Sequence, residues 1–220
     1  MFRLIENVLS AQQLTRLREI AASAQFVDGK VSNPHSRSKN NLQLHDQQAG
    51  QEAAQIMAGA LVGNEDFRNF AFPAQLAPPM LTRYEPKMNY GLHPDAAVLT
   101  VGNATLRTDL SCTVFVAPPE SYEGGALRIQ LGTQDIAIKG PAGSAIVYPS
   151  NTLHEVLPVS SGERLVGITF IQSQVRDSAQ RELLYELNEV AALEGNRMGH
   201  DNFVRLQAVQ QNLKRMWALG

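Results

Sequence analysis

Two stretches of the chain bring together residue types that hold metal ions. His93-Pro94-Asp95 sets an imidazole and a carboxylate two positions apart. On an extended strand residues i and i+2 project to the same face, so the pair can grip one cation from one side. Pro94 has no N–H for a ladder, which suits an edge or an irregular strand end. His154 lies 61 residues further on, after SAIVYPSNTL and before EVLPV, which sets it at the start of a late strand. Two histidines and one carboxylate make the facial triad of non-haem Fe(II) sites, with neighbouring positions left open for co-substrate and O₂. A closed zinc site would need a fourth ligand. His35 or His45 could supply one, although neither sits in a motif.

Arg164 opens the run RLVGITFI, ten residues after His154. An inward-facing guanidinium there can bind a carboxylate through two parallel hydrogen bonds. A dicarboxylate could then chelate the metal at one end and pair with Arg164 at the other, which is the logic of 2-oxoglutarate binding. Tyr84, nine residues before His93, and Thr113 on LSCTVFV could add hydrogen bonds to the same carboxylate. Taken singly, each residue has a plainer explanation: a surface pair, a core histidine, a solvated turn arginine, a packing tyrosine. Their order along one β-rich interval favours a joint site. Tyr90 and the polar segment Asp28–Asn41, ending on Asn41, are expected on the substrate side.

The surrounding elements fall into three parts. Residues 1–76 read as helical support with a polar loop. Ser10 and Gln13 form a capping box ahead of Leu14, Leu17, Ile20 and Ala21, and a second helix is expected over Gly50–Leu61. Between them Asp28–Gln47 is rich in turn formers and reads as a surface loop, of the kind that serves as a lid or binding loop. Residues 77–176 carry short apolar, β-branched runs separated by Pro118-Pro119, Gly124-Gly125, Pro141-Ala142-Gly143 and Ser161-Gly162. That spacing predicts an antiparallel sandwich or jelly roll rather than βαβ units. Residues 177–220 return to helix. Asp177 or Ser178 is expected to cap the first helix and Asp201 the second. Their apolar stripes pack on the home domain or form a contact in a homodimer.

Composition narrows the function. The chain has 220 residues, 44% hydrophobic and 18% charged, so it can bury a core without disulfide staples. Cys112 is the single cysteine, which excludes an internal disulfide and a cysteine-rich metal site. A net charge of −2, with no basic stripe interleaved with aromatics, weighs against nucleic acid as a partner. The start has no signal-like pattern, and no run approaches the ~18 apolar residues of a membrane helix, so a cytoplasmic protein is expected.

The segments RYEPKMNYGLHPD, RTDLSCTVFV, YEGGALRI and PAGSAIVYPSNTLHEVLPVSSGERLVGITFIQSQVRD resemble the PKHD-type hydroxylases. These are bacterial relatives of the prolyl 4-hydroxylases in the Fe(II)/2-oxoglutarate-dependent dioxygenase superfamily. The resemblance implies an α+β chain with a mainly β core, a double-stranded β-helix (jelly roll) braced by N-terminal helices, and a C-terminal helical extension. It implies His93, Asp95 and His154 as iron ligands, Arg164 as the 2-oxoglutarate anchor, and Tyr84 as the tyrosine that precedes the HxD. The implied reaction hydroxylates a peptide, amino acid or small molecule and converts 2-oxoglutarate to succinate and CO₂, with an ascorbate-like reductant in support. Ala96-Ala97 stands where the family often has Asn-Ala, and VLTVGNATL is atypical; both departures fall on the substrate side. A non-catalytic iron and 2-oxoglutarate sensor would keep the same ligands. A 2-oxoglutarate-independent metal enzyme would give Arg164 no role.

Overall fold

The computed structural model describes residues 1–218. Its elements run in the order β1 (Arg3–Ile5), α1 (Ala11–Ser23), β2 (Phe26–Asp28), β3 (Lys39–Asn40), β4 (Leu42–Leu44), α2 (Gln47–Gly63), α3 (Glu65–Ala71), β5 (Pro73–Leu76), β6 (Met80–Tyr84), β7 (Asn89–His93), β8 (Val98–Val101), β9 (Ala104–Arg107), β10 (Leu110–Phe115), β11 (Tyr122–Gly124), β12 (Leu127–Leu131), β13 (Gln134–Ile138), β14 (Ala145–Pro149), β15 (His154–Val156), β16 (Val159–Gly162), β17 (Arg164–Ser173), α4 (Ser178–Glu194) and α5 (His200–Trp217).

The strands make two facing antiparallel sheets, the double-stranded β-helix expected from the sequence. The major sheet has the order β1-β14-β10-β17-β6-β4-β2, with β5 also on β17. The minor sheet has the order β13-β12-β15-β7-β3, and β11–β16 and β8–β9 pair separately. The period of two along each strand divides the side chains between two cores. On β10, Leu110, Cys112 and Val114 face the helices, while Ser111, Thr113 and Phe115 face the sandwich. On β17, Leu165 and Ile171 pack toward the helices, while Arg164, Val166, Ile168 and Phe170 face the sandwich. Gly167, on the helix side, lets α2 approach: a Cβ there would lie 2.1 Å from Met57 Sδ.

The helices brace one face only. Leu17, Ile20 and Ala21 of α1, Met57 and Leu61 of α2, and Phe67 and Phe70 of α3 are buried against the major sheet. Ser10 and Gln13 close the capping box as expected. Asp177 caps α4 through its side chain. The last helix starts at His200 after Gly199, so Asp201 falls inside its first turn rather than at the cap.

The polar segment 28–47 departs from the loop reading. It holds β3, β4 and a 3₁₀ turn over Gly29–Ser32. Strands of two or three residues show too little alternation to be read from sequence, yet they extend both sheets: β3 pairs with β7 and β4 with β6. The chain therefore crosses from the minor to the major sheet at Asn41. VLTVGNATLR forms the β8–β9 hairpin, turning at Gly102 with φ 60°, a backbone conformation that favours glycine.

Candidate active site

The register of the minor sheet sets the metal-ligating types together. His93 ends β7 and His154 begins β15, and the two are direct cross-strand partners, so they share a face. Pro94 ends the ladder, and Asp95 turns back beneath the two rings. Asp95 Oδ1 lies 3.9 Å from His93 Nε2 and Oδ2 lies 3.6 Å from His154 Nε2. Ligand atoms of the three residues all lie within 4.8 Å of one another. Each imidazole has its other nitrogen tied back: His93 Nδ1 to the Gly91 carbonyl at 2.7 Å and His154 Nδ1 to the Thr152 carbonyl at 3.0 Å. An Nδ1–H that donates to a carbonyl leaves Nε2 as a free lone pair facing Asp95, the arrangement a metal requires. Burial, and then the neighbouring His154, push the His93 pKa down, which favours the neutral, ligating form.

Residues with no motif around them support this cluster. Ser111 Oγ donates to Asp95 Oδ2 at 2.5 Å and meets Ser150 Oγ at 2.7 Å. The Tyr90 ring stacks on His93 with centroids 3.7 Å apart, and Tyr148 meets His154 edge-on at 5.1 Å. Sequence reasoning missed Ser111 although the signal was present: it stands two residues before Thr113 on the same strand and so shares its face.

Facing the triad, the major sheet supplies a cation. Arg164 and Tyr84 are direct partners between β17 and β6, and the guanidinium carbon sits 4.9 Å from the Tyr84 ring centroid. Arg164 is 1% exposed, yet its Nε and Nη1 donate to nothing. Gly125, at φ +61°, makes room for it: a Cβ there would stand 3.1 Å from Arg164 Cδ. Asn41 Nδ2 donates to the Tyr84 hydroxyl at 2.9 Å, so the Tyr84 O–H proton is free to point into the cavity. The structure thus sets Asn41 beside Tyr84 at the Arg164 end. Thr113 is buried next to the Tyr148 hydroxyl. Burial pushes the Tyr84 pKa up, so it stays a neutral donor.

One cavity of about 580 Å³ is lined by His93, Asp95, His154, Arg164, Tyr84, Thr113, Tyr90 and Asn41 together. Its residues fit both implied groups. Two inward Nε2 atoms and a carboxylate suit Fe(II). A buried guanidinium with idle donors lacks only an anion, and the far carboxylate of 2-oxoglutarate is one. His35 and His45 do not line the cavity.

Comparison with known proteins agrees with this geometry. Residues 79–172 match the family model of the 2OG-Fe(II) oxygenase superfamily. A protein of Sphingopyxis alaskensis named PKHD-type hydroxylase is 58% identical over 217 residues, covering 99% of each chain. The chain belongs to the PKHD-type hydroxylases. This PKHD-type hydroxylase is therefore an Fe(II)- and 2-oxoglutarate-dependent oxygenase. Among solved structures it resembles a Pseudomonas putida prolyl-4-hydroxylase, with TM-score 0.57 and 18% identity over 78% of this chain and 92% of that one. It also resembles a Trichoplax adhaerens prolyl hydroxylase solved with a hypoxia inducible factor peptide fragment, with TM-score 0.58 and 16% identity over 83% and 86%. At these identities the likeness establishes the shared jelly-roll fold. No described helix is long and apolar enough to cross a membrane.

Proposed function

We propose that His93, Asp95 and His154 hold Fe(II), and that Arg164, helped by Tyr84 and Thr113, anchors the far carboxylate of 2-oxoglutarate. The observation that carries this reading is Arg164. A buried guanidinium with unpartnered donors is costly to keep, and it shares a cavity with three inward metal-ligating side chains. Bound there, Fe(II) and 2-oxoglutarate supply oxidative decarboxylation with O₂, which gives succinate and CO₂ and places one oxygen atom on a C–H bond of the substrate.

The chain's own residues provide placement. His93 and His154 offer Nε2 because their Nδ1 atoms are held by Gly91 and Thr152. Ser111 fixes the Asp95 carboxylate through Oδ2. Asn41 holds Tyr84 so that its hydroxyl can donate to the carboxylate on Arg164. Tyr90, stacked on His93, and the β8–β9 hairpin wall off the substrate side through Leu99, Thr100 and Val101. The substrate is a small molecule, an amino acid or a peptide rather than nucleic acid, in keeping with the net charge of −2. An ascorbate-type reductant serves turnovers without substrate. The single buried Cys112 and the need for ferrous iron suit the reducing cytoplasm.

Purified protein given Fe(II), 2-oxoglutarate and O₂ should release succinate slowly, and faster with a substrate that gains one oxygen atom. Asp95→Ala should lose both this release and bound iron. Succinate formation that persists in Asp95→Ala, or in metal-stripped protein, refutes the assignment.

A further inference from the structure

Beyond the triad and Arg164, the cavity carries one more cation, which iron and 2-oxoglutarate leave unused. Lys39 on β3 lies directly opposite Tyr90 on β7, so both side chains leave the sheet on one face. Tyr90 is three residues from His93, and in a regular strand the two would point to opposite faces. Here the ladder shifts: Tyr90 opposes Val156 while His93 opposes His154. β7 carries an extra residue over that span, and the bulge turns Tyr90 to the His93 side. The Lys39 ammonium lies 5.6 Å from the Tyr90 ring centroid, and that ring stacks on His93. Lys39 therefore stands at the mouth of the triad.

Its surroundings leave its charge uncompensated. Nζ donates to Ser32 Oγ at 2.6 Å. Asn33 Nδ2 donates to the Tyr90 hydroxyl at 3.3 Å, so an amide also stands at this mouth. Asp28 and Asp95 act on Lys39 only through space, and Asp28 is engaged in accepting from the Lys30 N–H. Burial pulls the Lys39 pKa down, as expected for a cation short of a partner. The lysine, arginine and carboxylate side chains lining the cavity are Lys39, Arg164 and Asp95. With Fe(II) on Asp95 and 2-oxoglutarate on Arg164, the charges of these two side chains, the metal and the co-substrate dianion sum to zero. Lys39 is left over, and Leu99 and Val101 offer an apolar surface in the same cavity.

We propose that Lys39, with Ser32 and Asn33 beside it, receives a carboxylate of the oxidised substrate, so that the substrate is a small organic acid with an apolar body. A free or N-acylated amino acid is of this class; an internal, uncharged peptide segment is not. The inference rests on the iron and 2-oxoglutarate reading above.

The test uses protein loaded with Mn(II) and 2-oxoglutarate without O₂, titrated with matched probes: N-acetyl-L-proline against N-acetyl-L-prolinamide, and N-acetyl-L-leucine against N-acetyl-L-leucinamide. Paramagnetic relaxation of the acetyl protons reports binding beside the metal. One charge-assisted pair is expected to make the acids bind about tenfold to a hundredfold more tightly than their amides. Lys39→Met should erase that preference and Lys39→Arg should keep much of it. Equal affinity for acid and amide, no acid binding near the metal, or a preference that survives Lys39→Met overturns the proposal. So does a Lys39→Met protein whose 2-oxoglutarate affinity falls as far as that of an Arg164 variant, because Lys39 would then serve the co-substrate. Failure of 2-oxoglutarate itself to bind with Mn(II) would instead strike the underlying reading of the site.

Discussion

Replacing Arg164 by methionine should have opposite effects on the empty and the loaded protein. The side chain is 1% exposed, with Nε and Nη1 unpartnered. A buried donor without an acceptor costs ~1–3 kcal/mol. The Tyr84 ring offsets part of this through a cation–π contact of ~0.5–2 kcal/mol. Methionine keeps an unbranched apolar stem and removes the charge, so on the central values of these two terms the ligand-free protein should gain ~1 kcal/mol. For a domain of this size that raises Tm by roughly 2–4 °C. The loaded protein loses a carboxylate pair of two charge-assisted hydrogen bonds, ~3–5 kcal/mol together. The KM for 2-oxoglutarate should then rise roughly a hundredfold to a few thousandfold. A 2-oxoglutarate concentration near a hundred times the wild-type Kd, which stabilises the wild type by ~2.7 kcal/mol, should leave the variant's Tm almost unmoved. Calorimetry with Mn(II), with and without 2-oxoglutarate, reads both effects. A large fall in the ligand-free Tm would make Arg164 a structural residue. An unchanged 2-oxoglutarate response would move the co-substrate elsewhere.

Three further perturbations probe the same architecture. Ser111→Ala frees Asp95 Oδ2 from its donor, and loss of such an orienting bond should weaken metal binding ~10–100-fold by Mn(II) titration while the fold stays intact. Gly29→Ala puts a Cβ 1.9 Å from Asn41 Oδ1 and 3.1 Å from its backbone oxygen; displacing Asn41 should cost ~1–3 kcal/mol in denaturant unfolding and raise the 2-oxoglutarate KM. Burial pushes the Cys112 thiol well up, so native protein should be inert to thiol reagents at neutral pH and should react once unfolded; rapid native labelling would place Cys112 outside the helix-facing core.

Different parts of this molecule were legible for different physical reasons. Runs such as LSCTVFVA and RLVGITFI announce themselves because central strands bury both faces and are apolar along their length. Ser10 and Gln13 are legible because capping is local chemistry, settled within one helical turn. β3 and β4 are not, because two or three polar residues acquire strand geometry only from the ladders they join, β7 and β6. That concealed the role of KNNLQL, in which Lys39, Asn41 and Gln43 alternate into the cavity while the chain passes from one sheet to the other. Within the candidate site, His93 and Asp95 could be paired by spacing alone. The approach of His154 depends on register between strands sixty residues apart, and the opposite wall was hinted at by Arg164 after a turn, with Tyr84 and Thr113 on neighbouring runs. Tyr90 could be set near the site by its closeness to His93, but its stacking on that ring needs a bulge that no local residue type signals.

Register is where folding and chemistry meet in this protein. His93–His154 and Arg164–Tyr84 are each a directly opposed cross-strand pair, one in each sheet. A slip of one residue in either ladder would send its pair to the opposite face: the imidazoles out of the cavity in the minor sheet, the guanidinium into the helix-facing core in the major. On β17 that slip would also swap Leu165 and Ile171 with Val166 and Phe170 and ruin both cores at once. The apolar alternation that folds β17 thus fixes where Arg164 points, and the cost of burying its charge falls on a strand whose register the rest of its side chains already determine. The minor sheet is less well protected, since β15 has three residues and β7 already carries a bulge. Asp95, held by Ser111 of the major sheet, ties the weaker ladder to the stronger one. Loss of that tie should therefore appear first as faster hydrogen exchange at β7 and β15, with β10 and β17 still protected.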